Sequence, residues 1–98
     1  MRLADVLVEV IQELGGGEGK PVHRSRIIPL AEKRWRALGH KIIGDFGQTV
    51  SATIQEYSPD SSKWRKKARE GEPLFSMHEI DGEDGYYSVL PTPTLDDL

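Results

Sequence analysis

Apolar residues open the chain with a helical period. Leu3, Val6, Leu7, Val10, Ile11 and Leu14 fall at i, i+3, i+4, i+7, i+8 and i+11, which predicts a first helix with one full apolar stripe. Gly15-Gly16-Gly17 ends it. Pro21-Val22-His23 has room for a strand of one or two pairs before a second helix from about Ser25. Pro29 is expected near the first turn of that helix, where a missing N–H is least disruptive. Ile28, Ala31, Trp35 and Leu38 make its expected buried side, and Gly39 its stop. The short Gly39-to-Gly44 connection makes the next helix a spatial neighbour.

That third helix, in the stretch 44–57, has two unlike faces. Phe46, Val50, Ile54 and Tyr57 recur at helical spacing, while Gln48, Ser51 and Gln55 fall at i, i+3 and i+7 on the opposite side. Ser58-Pro59-Asp60-Ser61-Ser62 breaks the helix, and the basic stretch around Trp64 follows as a loop or a single turn. The period then changes to that of strands. Leu74 to Ile80 and Tyr86 to Leu90, separated by Asp81-Gly82-Glu83-Asp84-Gly85, predict a β-hairpin. The expected fold is α+β, with the element order of a winged helix in residues 1–91 and a disordered tail at 92–98.

Composition narrows this picture. At 98 residues there is material for one modest core. The absence of cysteine excludes disulfides, thiolate metal sites and cysteine nucleophiles, and is compatible with a reducing compartment. No stretch has the length of a membrane span, and the start lacks the apolar run of a secretory signal, so a cytoplasmic protein without membrane contact is expected.

The net charge of −3 conceals a segregated pattern. Residues 20–41 hold seven basic side chains against the one acid Glu32, and Lys63, Arg65, Lys66, Lys67 and Arg69 form a second basic block. These blocks bracket the two-faced helix, and phosphate responds to local field rather than to overall charge. On this reading Gln48, Ser51, Ala52 and Gln55 face base edges, where an amide matches adenine by donating and accepting together. Arg24, Arg26, Lys41, Lys63, Arg65, Lys66, Lys67 and Arg69 hold phosphates.

Gln48-Thr49-Val50-Ser51-Ala52-Thr53-Ile54-Gln55-Glu56-Tyr57-Ser58-Pro59-Asp60-Ser61, with Leu74-Phe75 and Tyr86-Tyr87-Ser88-Val89-Leu90 behind it, resembles a known family. These segments are similar to the third helix and final hairpin of winged helix-turn-helix modules of bacterial restriction endonucleases and of HARE-type helix-turn-helix domains. The resemblance implies double-stranded DNA as partner, sensitivity to base modification in some members, and a nuclease domain carried elsewhere. One departure is the acidic turn, where Glu79, Asp81, Glu83 and Asp84 stand in place of phosphate-binding Lys or Arg. It keeps a second reading open, a winged helix that binds a protein partner through its acidic wing and first helix. A homodimer is compatible with either.

Catalytic and metal motifs fail on spacing. His23, His40 and His78 form no ligand pair, and no cofactor is expected. Gly15 to Lys20 lacks the Ser/Thr of a phosphate loop because Pro21 occupies that place, and Asp81 to Gly85 is too short to hold calcium. Pro59-Asp60-Ser61-Ser62-Lys63 has part of a metal-dependent nuclease signature and is read as a helix terminator. Trp35, Phe46, Tyr57, Phe75 and Tyr87 are assigned to packing. Trp64 either pins a basic loop or covers the core. Gln48 either faces a base or closes a capping box with Asp45.

Overall fold

The computed structural model describes residues 2–15, 20–64 and 73–90. The elements run α1 (Leu3–Glu13), β1 (Val22–His23), α2 (Arg24–Ala37), α3 (Phe46–Glu56), β2 (Phe75–Ile80) and β3 (Glu83–Val89). Three helices thus pack with one antiparallel sheet in the order β1-β3-β2. Residues 65–69, which carry much of the second basic block, and the tail 92–98 lie outside the described residues.

The first helix buries the stripe its spacing announces: Val6, Leu7, Val10 and Ile11 are inaccessible to solvent, with Leu3 and Leu14 half-buried at its ends. Arg2 fastens its start. The guanidinium donates to both carboxylate oxygens of Asp5 at 3.0 Å, and lies over the Tyr57 ring at 5.7 Å, tying the beginning of α1 to the end of α3. These bonds hold the Asp5 carboxyl below its ordinary 3.8, overcoming the partial burial that pushes the other way. Arg34 pairs with Glu13 and joins α2 to the last turn of α1.

The second helix differs from expectation in its start and its facing. It begins at Arg24, with the His23 ring accepting from the Ser25 N–H at 3.2 Å, so Pro29 sits beyond the first turn. Ile27 and Ala31 are the buried pair, Ile28 and Trp35 are half-buried, and Leu38 is 51% exposed. With isoleucine at both 27 and 28, the apolar phase of this highly charged helix has two solutions. Packing against α1 selects the one through Ile27. The Trp35 ring stacks on His40, with centroids 3.7 Å apart, and packs half-buried against the core.

The hairpin is tighter than expected. Only Asp81 and Gly82 form the turn, both at positive φ, and Glu83, Asp84 and Gly85 belong to β3. This is the two-residue geometry that an Asp-Gly pair favours. A register shift between His78 and Ile80 leaves an additional residue on β3, at the glycine with φ of 89°. Buried Phe75, Tyr87 and Val89 carry the sheet into the common core with Val50 and Ile54 of α3.

Ile27→Ala is expected to destabilise the fold by about 2–5 kcal/mol, against about 0.5 kcal/mol or less for Leu38→Ser, in urea unfolding. A facing of α2 through Ile27 fails if the two rank in reverse. Because the Asp5 carboxyl is depressed in the folded state, its contribution is complete above the unfolded value and fades as pH falls through the folded one. Asp5→Asn should therefore flatten the acid limb of a stability–pH curve below about pH 4 and leave its neutral-pH shape unchanged.

Candidate nucleic-acid interface

The third helix has its two faces fixed by capping and burial. Asp45 sits at its N-cap and its carboxylate accepts from the Gln48 N–H at 3.2 Å. Gly47 permits close approach to α2, since a side chain there would meet Ile28 and Asp45 at 3.3–3.4 Å. Phe46, Val50 and Ile54 are buried, and Tyr57 closes the helix from inside the core. Buried Ser58 donates its hydroxyl to the Ile54 carbonyl at 2.5 Å, which satisfies one of the last carbonyls of the helix.

Burial of that stripe turns the other side outward. Gln48, Thr49, Ser51, Ala52 and Gln55 line a broad open depression of about 450 Å³, and Lys63 closes its rim. All four residues expected to face base edges are therefore brought together. Thr49 belongs with them, although the i, i+3, i+7 spacing does not include it. A wider polar arc at i, i+1, i+3, i+4 and i+7 contains it. Its hydroxyl donates to the Asp45 carbonyl at 3.2 Å, and Thr53 donates likewise to the Thr49 carbonyl at 2.8 Å. Gln48 is exposed and the cap belongs to the Asp45 carboxylate.

Among the described residues, the expected phosphate-binding side chains come from separate elements. Lys63 lies at the depression, held by a turn in which its N–H donates to the Ser61 hydroxyl at 3.1 Å. Asp60 anchors that turn to the sheet, its carboxylate accepting from the Met77 N–H at 3.0 Å and the Ser76 hydroxyl at 3.4 Å. Arg26 and Lys41 are exposed on α2 and on the α2–α3 connection. Arg24 instead lies across β3, where a side chain on Gly85 would meet its guanidinium at 3.2–3.3 Å. Arg65, Lys66, Lys67 and Arg69 lie outside the described residues. Trp64 is half-buried.

The hairpin end is acidic on its surface, with Glu79, Asp81, Glu83 and Asp84 all exposed. Glu83 Oε1 stands 3.1 Å from His23 Nε2, so this acidic end leans toward the start of α2. Another histidine, His78, has a structural partner: its Nε2 meets the Ser88 hydroxyl at 2.8 Å across the hairpin, and Ser88 is buried. Among the described residues no group of three or more His, Asp or Glu side chains has the geometry to hold a metal, and no helix is long and apolar enough to cross a membrane.

No family model matches the chain, and neither a curated protein nor a solved structure matches it.

Asp45→Ala is expected to cost about 0.5–2 kcal/mol of stability, whereas Gln48→Ala should stay within about 0.5 kcal/mol. Thermal or urea denaturation of the two variants checks which side chain caps the helix. An equal loss in both would return Gln48 to a capping role.

Proposed function

We propose that the chain is a winged helix that binds duplex DNA without itself performing chemistry, with α3 in the major groove and the β2–β3 hairpin as its wing. The observation that carries this reading is the outward face of α3, where amide, hydroxyl and methyl groups share one open depression with Lys63 on its rim. A helix about 10–12 Å across with its side chains matches the width of a B-DNA major groove. The element order and the placement of β1 against β3 support the winged-helix assignment. Arg26, exposed on α2, Lys41, exposed on the α2–α3 connection, and Lys63 supply phosphate contacts that set register, and the side chains of α3 reach base edges.

In this reading the acidic hairpin stands clear of the duplex, and Arg24 moderates its charge from the start of α2 rather than contacting phosphate. As the resemblance to restriction-endonuclease modules implies, the domain would serve a nuclease activity located elsewhere. The four exposed acids of the hairpin favour a second reading, in which this end of the domain docks on a basic protein.

Salt dependence separates the two. Fluorescence anisotropy with random duplex DNA is expected to show binding at about 50 mM salt that falls steeply by about 200 mM. Lys63→Ala should weaken binding to all sequences alike and lower the salt slope by about one. Absence of binding at the lower salt would overturn the DNA reading and leave the acidic hairpin as the surface to pursue.

A further inference from the structure

We infer that the depression on α3 selects A·T base pairs, through amide contacts to adenine and methyl contacts to thymine in the major groove; this inference rests on the proposal that the domain binds duplex DNA. Each base edge asks for a particular chemistry. Guanine takes Arg or Lys on O6 and N7, cytosine gives its amino group to Asp or Glu, adenine takes Gln or Asn on N6 and N7, and the thymine methyl takes an apolar group. The helix contains no Arg or Lys, and its one acid, Glu56, ends it and does not line the depression. What remains on the surface is the set suited to adenine and thymine.

The spacing of that set fits a short site. Gln48 and Gln55 are seven residues apart, about 10 Å along a helix, which is the length of about three base-pair steps. Between them Ala52 presents a methyl group. Thr49 contributes a second: the one proton of its hydroxyl is committed to the Asp45 carbonyl, so toward a base it keeps its methyl group and an oxygen that can only accept. Ser51 does not discriminate between bases, and Lys63 stands off the helix as a point charge suited to phosphate. Two adenine-type readers thus bracket two thymine-type contacts over roughly four base pairs.

The test is selection by the full chain from a randomised duplex pool at about 50 mM salt, followed by anisotropy on the retained sequence. The retained core is expected to be A·T-rich and to bind about 10-fold or more tighter than a G·C core in the same flanks. Two chemical probes then ask how it is read. Deoxyuridine in place of thymidine removes the methyl group, and 7-deazaadenine removes the N7 acceptor, and each should erase several-fold of the preference. In Gln55→Ala the 7-deazaadenine effect should shrink, while the deoxyuridine effect persists. Retention with no base preference, or with a G·C preference, would overturn the inference and leave DNA binding standing. So would an A·T preference that survives both probes, since it would reflect groove shape. No retention at all would overturn the DNA-binding reading itself.

Discussion

A chain this short has one core, and α1, α3 and the sheet must all bury their apolar sides in it. That constraint governs the orientation of everything else. Each fully buried Val, Leu, Ile or Phe side chain contributes about 1.5–3 kcal/mol, so rolling α3 away from Phe46, Val50 and Ile54 would sacrifice several such contributions at once. The opposite face of α3 is therefore held outward by interactions in which it takes no part. Its residues carry little of the folding free energy and are available to be chosen for what they contact.

How legible each element is in the sequence follows from how many ways its pattern can be satisfied. In α1 the apolar stripe is continuous and has one phase, and the structure buries it as spaced. In α3 the same is true of Phe46, Val50, Ile54 and Tyr57, which is why the outward set is legible too, apart from Thr49. The second helix has adjacent isoleucines, Ile27 and Ile28, among many charges, and only its neighbours choose between them. The hairpin turn reads too wide in the sequence because Glu83 and Asp84 are polar residues of a strand end, and polarity alone does not separate strand end from loop. The grouping of basic residues is the least legible feature. Nearness in sequence places Arg24 with Arg26, whereas the fold lays Arg24 across the backbone of Gly85.

Charge in this domain is divided by face more than by amount. The start of α2 meets the acidic hairpin through Arg24 at Gly85 and the contact of His23 Nε2 with Glu83, so the Arg24 cation lies on the same side of the fold as the hairpin acids. Lys63 stands instead beside the uncharged outward face of α3. Gly85 is favoured in this arrangement by its positive φ, and the Arg24 guanidinium lies against it. An approaching polyanion therefore meets quite different fields depending on the side from which it arrives.

The bonds from the turn after α3 to β2 govern what the edge of the sheet offers to another chain. In the order β1-β3-β2, strand β2 is the rim of the sheet, and its outward N–H groups are those a foreign strand would seek. The Tyr57 carbonyl takes the N–H groups of Leu74 and Phe75, and the Asp60 carboxylate takes that of Met77. The segment Leu74 to Met77 is thus denied to strand addition by another molecule, and Asp60 adds a negative charge where such a molecule would have to approach. One loop thus covers the first half of the β2 edge.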